Sequence, residues 1–308
     1  MNARPSLAFV IVHLLVASLL WASGFVFVKA LNPVLAPFSL SAMRASLAAL
    51  AIGGFIALTG GKPWPRGPEW GHWIALGAIQ GWIPNVLTAL GLRTTTAGLA
   101  SMIQASGPLL VALAAHFLFK EERLTTRRAI GLAGVAGLLG PALVGDGAGD
   151  AAGAMYMVGV TVSYALAALG VRLIGGGDPL RLAFGQQAFS ALPSIGMALA
   201  FDPAPSDAMT PLPLALWCLG IGVVATAAPM AVYMRLLTAA GPTRAALVYY
   251  LLPLWATILG YLFLSERITL QQALSGLVLL AGVWLATGRT ISAQGMDRPA
   301  APLRLSDP

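Results

Sequence analysis

The chain has 308 residues, of which 58% are hydrophobic and only 9% are charged. This composition leaves too little polar surface to cover a water-soluble globule, so it excludes a soluble fold and predicts an integral membrane protein. The formal net charge of +7 does not indicate a nucleic-acid partner, because the basic residues are scattered along the chain rather than gathered into one patch.

Ten apolar stretches are each long enough to cross a hydrocarbon core of about 30 Å as a helix, and we call them spans 1 to 10. Spans 1 to 5 are residues 7–31, 35–59, 71–92, 97–119 and 127–144. Spans 6 to 10 are residues 153–174, 179–201, 212–237, 243–264 and 269–288. A membrane β-barrel would alternate apolar and polar residues, whereas stretches such as 129–139 are continuously apolar, so helices are predicted.

The second five spans repeat the first five at an offset of about 145 residues. The segment 21–29, with Trp21 and a cation eight residues later, lies opposite 164–172, which begins with Tyr164 and ends in Arg172. Further matches join Arg44 to Gln187, Pro84 to Pro229, Pro108 to Pro253, and Phe-Lys-Glu-Glu-Arg-Leu-Thr at 119–125 to Phe-Leu-Ser-Glu-Arg-Ile-Thr at 263–269.

Because five is an odd number of crossings, the second copy must enter the membrane from the opposite side. We therefore predict an all-α membrane protein with ten transmembrane helices, arranged as two inverted five-helix repeats around a central cavity. The repeats would comprise residues 1–146 and 147–290, and residues 291–308 would form a disordered tail. With the N-terminus in the cytoplasm, that side receives 14 of the 18 Lys and Arg residues, so both termini are predicted to be cytoplasmic.

These features resemble the ten-helix EamA branch of the drug/metabolite transporter superfamily. The resemblance rests on Trp-Ala-Ser-Gly-Phe in span 1, Arg44 in span 2, and the proline followed by Glu-Arg in spans 4 and 9. It implies a carrier of the bacterial inner (plasma) membrane, and similarity to bacterial amino-acid exporters implies export of aromatic or other neutral amino acids by alternating access. Export of another metabolite or drug, such as a nucleoside, a sugar derivative or a cationic drug, is the first alternative, and a membrane enzyme is a weaker one.

Polar and aromatic residues far from the span ends are candidates for binding a substrate, because a solute needs hydrogen bonds and flat surfaces at mid-membrane depth. The candidates are Trp21, Arg44, Gln80, Trp82, Asn85, Ser101, Gln104, Tyr164, Gln187, Tyr249 and Tyr250. Gln104 and Tyr249 are repeat mates and are expected to face each other. Interhelical hydrogen bonding is the alternative role for such side chains.

Pro84, Pro108, Pro229 and Pro253 lie inside spans, where a proline frees a backbone carbonyl and kinks a helix. Their symmetric placement predicts hinges, although membrane helices often tolerate proline without such a role. Arg44 is the cation that lies deepest in a span and needs a partner, either a substrate carboxylate or, in a scaffold role, neighbouring carbonyls. Lys29 and Arg172 are expected to snorkel, and Trp64, Trp70 and Trp73 to belong to the interfacial aromatic belt.

The sequence offers little for catalysis or ion coupling. All eleven Asp and Glu residues fall in loops or at helix ends, so a carboxylate proton relay is not expected and flux should follow the substrate gradient. The three histidines lie on different spans without further ligands at suitable spacing, so we expect no metal and no cofactor. Without a nucleophile and base we predict no enzyme. The expected partners are a small molecule and the lipid bilayer, with the chain a monomer or homodimer.

Overall fold

The computed structural model describes residues 5–65, 67, 69–110, 151–174, 178–240, 242–245 and 247–267, together with separate positions between 269 and 281. Span 5, the second half of span 4, most of span 10 and the tail 291–308 lie outside the described residues. Every regular element within the described residues is helical, which confirms the predicted fold class.

In the first half, span 1 is the helix Leu7–Leu31 and span 2 is the helix Pro37–Leu58. Span 3 consists of the α-helix Glu69–Leu76, the π-helix Gly77–Trp82 and the α-helix Ile83–Gly91. Span 4 begins as the helix Ala97–Ala105, turns at Ser106, and is helical again over residues 107–110.

In the second half, span 6 is the helix Ala151–Ile174 and span 7 is the helix Pro179–Phe201. Span 8 consists of the α-helix Pro211–Leu219, the π-helix Gly220–Ala227 and the α-helix Ala228–Ala240. Span 9 is the short helix Pro242–Ala245 followed by the helix Val248–Leu264. The π-helices of spans 3 and 8 therefore occupy corresponding places in the two halves.

Side chains at the helix starts satisfy backbone N–H groups that have no intrahelical acceptor. The Ser6 hydroxyl accepts the N–H of Phe9 at the start of span 1, and the Thr96 hydroxyl accepts the N–H of Leu99 at the start of span 4. Asp178 does the same for span 7, which begins with a proline at a position where no N–H is needed. The chain thus marks its helix starts locally.

Five helices in the described part are long and apolar enough to cross a membrane. They are Leu7–Leu31, Pro37–Leu58, Glu69–Gly91, Ala151–Ala168 and Pro211–Leu237, and Val248–Leu264 is a shorter apolar helix. Large apolar side chains point outward on several of them, with Leu58 90% and Leu199 85% exposed. A lipid environment removes the cost of such exposure, because lipid tails are as apolar as leucine.

The two halves run through the bundle in opposite directions. Span 1 ends at a face where the Ser206 N–H donates to the Val34 carbonyl, 3.1 Å away. Span 6, the repeat mate of span 1, begins at this same face, since Gly153 lies directly against Thr95 in the connection before span 4. We call this side the Glu266 face, formed by residues 32–36, 92–96, 202–210 and 265–267. Spans 1 and 6 therefore have opposite orientations, as an inverted repeat requires.

Glycines allow the π-helices to contact the neighbouring spans closely. A Cβ atom at Gly77 of span 3 would lie 2.5 Å from the Cβ of Phe189 in span 7. A Cβ atom at Gly222, its repeat mate in span 8, would lie 2.4 Å from the Cβ of Leu47 in span 2. Each half thus presses its π-helix against the second helix of the other half, and only glycine fits at the crossing.

Trp73 is only 2% exposed and packs edge-to-face against Phe184. Its indole ring lies against Gly185, where a Cβ would be 2.2 Å from the ring. The prediction that Trp73 belongs to an interfacial belt is therefore wrong, because a ring facing span 7 of its own bundle cannot reach the lipid headgroups.

Candidate functional site

Pro84 and Pro229 each follow a π-helix by two residues. The Ile83 N–H donates to the Ala78 carbonyl in span 3, and the Ala228 N–H donates to the Val223 carbonyl in span 8. Both bonds reach back five residues, which is the π-helical pattern. A proline has no N–H to continue the helical hydrogen bonds. In both halves the helix is π-helical just before the proline.

Two side chains of the second half donate hydrogen bonds to backbone carbonyls of the span 3 π-helix, just before Pro84. The Gln186 side-chain amide of span 7 donates to the Gln80 carbonyl at 3.0 Å. The Ser163 hydroxyl of span 6 donates to the Ile79 carbonyl. Carbonyls without intrahelical donors are stable at membrane depth only when protein or water satisfies them, so these two side chains stabilise the irregular part of span 3.

Arg44 of span 2 contacts the π-helix of span 8 from the other half. Its Nε donates to the Thr226 hydroxyl at 3.0 Å, and that hydroxyl donates to the Ile221 carbonyl at 2.7 Å. Arg44 is partly exposed. In the described part of the chain, no Asp or Glu forms an ion pair with its guanidinium.

The other two predicted hinge prolines lie in different surroundings. Pro108 follows a break in span 4 at Ser106, whose N–H and hydroxyl both donate to the Ile103 carbonyl. Pro253 lies inside the continuous helix Val248–Leu264. A fifth proline, Pro193, lies within span 7 without a π-helix. The four predicted prolines are symmetric in the sequence. Only Pro84 and Pro229 also share a similar backbone geometry.

Three aromatic rings from spans 1, 8 and 9 form what we call the aromatic cluster: Trp21, Tyr233 and Tyr249. Trp21 stacks on Tyr249 with ring centroids 5.9 Å apart, and Tyr233 lies 5.2 Å from Trp21 and 6.2 Å from Tyr249. Tyr249 is nevertheless 39% exposed.

Tyr164 of span 6 connects Arg44 with the aromatic cluster. It lies within electrostatic range of the Arg44 guanidinium and of the Tyr249 hydroxyl. Tyr164 is partly exposed, like Arg44. The structure thus brings together four of the predicted candidates, Trp21, Arg44, Tyr164 and Tyr249, from four spans and both halves.

Three further candidates lie near the contact of spans 3 and 7 and carry polar atoms without a hydrogen-bond partner among the described residues. These atoms are Trp82 Nε1, Asn85 Nδ2 and Gln187 Oε1. Asn85 and Gln187 are each 5% exposed. Gln80, the fourth candidate here, contributes its backbone carbonyl to Gln186.

The remaining candidates are placed away from the aromatic cluster's ring contacts. Ser101 is fully buried, and its hydroxyl donates to the Gly98 carbonyl of its own helix at 2.7 Å. Tyr250 packs against the core formed with residues such as Leu252 and Ala256. Gln104 is half-buried on span 4, and its expected pairing with Tyr249 stays a prediction.

Four residues that contact the candidate residues or the π-helices were not predicted from the sequence: Tyr233, Thr226, Gln186 and Ser163. Tyr233 has no aromatic repeat mate, and Thr226 and Ser163 are small polar residues in apolar runs. Gln186 neighbours Gln187, and the repeat register favoured the latter. The one usable signal was the pair of prolines, since each demands a hydrogen-bond donor for the carbonyl four residues earlier.

Lys29 lies at the end of span 1 and does not snorkel freely. Its Nζ forms an ion pair with Glu266 Oε1 and donates to the Thr95 carbonyl at 3.0 Å. Glu266 Oε2 accepts the N–H of Ala97 at 2.8 Å. On the opposite side, which we call the Arg181 face, Arg181 binds both carboxylate oxygens of Glu69. Both faces of the bundle thus carry an ion pair between the halves.

Within the described residues, no group of three or more His, Cys, Asp or Glu side chains could hold a metal ion. A pocket of about 320 Å³ lies between spans 4 and 9 near the Glu266 face, lined by residues including Gly98, Thr257 and Tyr261. Tyr261 is 66% exposed, so this pocket opens on the flank of the bundle. The central cavity stays a prediction.

Both halves of the chain match known proteins. The profile of the EamA-like transporter family matches residues 8–144 and 151–288. A chloroplastic WAT1-related protein of Arabidopsis thaliana is 30% identical over 283 residues, 86% of this chain and 66% of that protein. The chain thus spans just under two thirds of that relative. An uncharacterized transporter of Archaeoglobus fulgidus is 27% identical over 286 residues, covering 90% of this chain and 97% of the relative.

A solved crystal structure shares the fold at low sequence identity. It superposes with a TM-score of 0.61 and 19% identity, over 96% of this chain and all of the other. At that identity the likeness concerns the fold alone. The names of the relatives give no substrate.

Proposed function

Because this chain belongs to the EamA-like transporter family, we propose that it exports amino acids or similar small metabolites by alternating access. It is a multi-pass membrane protein of a family of small-molecule transporters. Its substrate, its direction of transport and its alternating-access mechanism are proposed here. Residues 1–146 and 147–290 are the proposed limits of the two repeats.

The arrangement of Trp21, Arg44, Tyr164 and Tyr249 is the observation that carries this proposal. The four side chains come from spans 1, 2, 6 and 9 and combine aromatic faces with a cation and phenolic hydroxyls. An amino acid with an apolar side chain offers the complementary features, a carboxylate and an apolar body. Contributions from both halves mean that a relative movement of the halves alters the site.

The π-helices of spans 3 and 8 support alternating access. Both precede a proline, both lie at a glycine crossing with the other half, and the two are related by the repeat. Helix irregularities of this kind concentrate at functional positions. An inverted pair of such elements lets one half adopt the conformation of the other, which exchanges the side that is open.

We further propose that the protein resides in the bacterial inner membrane with both termini in the cytoplasm, so that the Glu266 face is external. No Asp or Glu lies in the interior of a span, which favours flux down the substrate gradient over coupling to a carboxylate proton relay. Uptake into liposomes without a proton gradient checks this part, and strict dependence on a gradient contradicts it.

Counterflow in proteoliposomes tests the proposed function. Liposomes loaded with unlabelled phenylalanine, leucine, a nucleoside or a sugar are diluted into the labelled form of the same solute, and saturable uptake of the amino acids is expected. Tyr249→Ala and Gln104→Ala should lower uptake at unchanged protein content. Tyr261→Ala is the matched control, because Tyr261 lies on the same helix as Tyr249 and is 66% exposed. Uptake of the nucleoside or sugar alone would contradict amino-acid export.

A further inference from the structure

We infer that the guanidinium of Arg44 binds the carboxylate of the transported molecule. The site recognises this negative charge and an apolar ring of the ligand. It does not recognise an amine. The inference rests on the proposed transport function and names the substrate class as aromatic and similar apolar monocarboxylates. Amino acids then bind through their carboxylate and side chain alone.

The hydrogen bonding of Arg44 leaves the two terminal nitrogens of its guanidinium available for a carboxylate. Its Nε donates to Thr226, and no other acceptor among the described residues is hydrogen-bonded to its guanidinium. Arginine binds a carboxylate through two parallel N–H bonds in a planar fork. With Nε held by span 8, the two terminal nitrogens form such a fork, and the Thr226 bond fixes its direction.

The position of Arg44 in the membrane makes a free charge costly. It lies about two turns inside span 2, and no carboxylate of the chain lies in the interior of a span. A cation at this depth requires an anion, carbonyls or water. A substrate carboxylate meets this requirement, and the water-poor surroundings strengthen the pairing.

The surroundings of the guanidinium determine the rest of the ligand. Tyr164 lies within electrostatic range of both Arg44 and Tyr249, and Tyr249 stacks on Trp21. Partly exposed aromatic surface beside the cation suits a ring or a branched apolar group. An ammonium group would find no carboxylate among the described residues here, and the nearby positive charge of Arg44 disfavours it.

Four ligands with one ring and different charges test the inference on purified wild-type protein by isothermal titration calorimetry. They are phenylacetate, phenylalanine, neutral phenylacetamide and cationic phenylethylamine. We expect phenylacetate to bind tenfold to a hundredfold tighter than phenylacetamide, on the order of one charge-assisted hydrogen-bond pair, and no weaker than phenylalanine. Equal affinity for the acid and the amide, or tighter binding of the amine, overturns the inference.

Variants then locate the charge. Arg44→Gln, which introduces the side chain of the repeat mate Gln187, should abolish the preference for the acid over the amide and leave amide binding within twofold. Arg44→Lys should keep part of the preference. Arg93→Gln removes an exposed cation and should change nothing. An acid preference that persists in Arg44→Gln overturns the assignment, and the wild-type series decides even when Arg44→Gln does not fold.

Transport separates this inference from the proposed function. Liposomes that take up the amide as fast as the acid would support a carrier and refute recognition of the carboxylate. Binding that depends on Arg44 in a protein without uptake of any of the four ligands would support the inference and refute the proposed transport of such molecules.

Discussion

Glu266 ties three spans together through one carboxylate. Its Oε1 lies 2.5 Å from Lys29 Nζ, and its Oε2 lies 2.8 Å from the N–H of Ala97. Lys29 ends span 1 and Ala97 begins span 4, both in the first half, whereas Glu266 follows span 9 in the second half. This contact therefore holds the two halves together at the Glu266 face.

Removing the charge of Glu266 should open that face. In Glu266→Gln the Lys29 ammonium loses its counterion, and a charge-assisted hydrogen bond of this kind is worth about 1.5–3 kcal/mol. Thr95→Cys in a Cys218→Ala background places a single cysteine at a fully buried position of this face. We expect Glu266→Gln to raise the rate at which this cysteine reacts with a water-soluble maleimide about tenfold or more. Asp207→Asn removes an exposed carboxylate on the same face and should leave the rate unchanged. Equal rates in all three proteins would refute this role for Glu266.

The bond from Gln186 to the Gln80 carbonyl should contribute to stability because Pro84 leaves that carbonyl without a helical donor. We expect Gln186→Leu to lower the free energy of unfolding by about 1–3 kcal/mol, measured by thermal or denaturant unfolding in detergent. Gln187→Leu, a neighbouring buried glutamine whose Oε1 has no partner in the described part, should be neutral or stabilising.

A double-mutant cycle sharpens this prediction. Pro84→Ala restores a backbone N–H that can donate to the Gln80 carbonyl, so Gln186→Leu should cost less in that background. If Gln186→Leu costs the same in the wild type and in the Pro84→Ala variant, the Gln186 amide acts independently of the proline.

The glycine crossings of the π-helices predict sharp size limits. In Gly77→Ala the new Cβ would lie 2.5 Å from Phe189 Cβ and 2.8 Å from its backbone carbon, so span 7 must move and we expect a loss of about 1–3 kcal/mol. Gly71→Ala lies on the same span with nothing within 4 Å and should stabilise by up to about 1 kcal/mol. Thermal unfolding of both variants, compared in one detergent, decides the matter.

Pro84→Ala and Pro229→Ala should each slow the exchange between open states. The added N–H allows the π-helix to rewind as an α-helix and adds a backbone bond worth about 1 kcal/mol, which lowers the exchange rate about fivefold when that bond must break. Counterflow rates should fall while ligand affinity stays the same. Pro193→Ala, in a helix without a π segment, is the control. Wild-type rates in both variants would exclude these prolines as hinges.

The positions of the helices were predictable because hydrophobic length alone determines them. Residues 7–31 and 179–201 were predicted as spans and form the helices Leu7–Leu31 and Pro179–Phe201. The inverted orientation followed from an odd repeat. The π-helices were not predictable, because their geometry depends on partners such as Gln186 and Arg44 that lie more than 100 residues away in the sequence.

The sequence predicted which kinds of residue the candidate site contains, but it did not predict every residue that lies there. Arg44, Tyr164, Trp21 and Tyr249 were chosen as candidates because each is large and polar or aromatic in an apolar span, and their role in binding stays a prediction. Tyr233 was missed, since only the three-dimensional approach of span 8 to spans 1 and 9 brings its ring to the other two.

Three hydrogen bonds to the π-helices of spans 3 and 8 run from one half to the other. Gln186 and Ser163 serve carbonyls of residues 79 and 80, while Arg44 reaches back across to Thr226. A fragment containing only the first five helices would therefore lack hydrogen-bond donors for the carbonyls of residues 79 and 80 and a partner for Arg44.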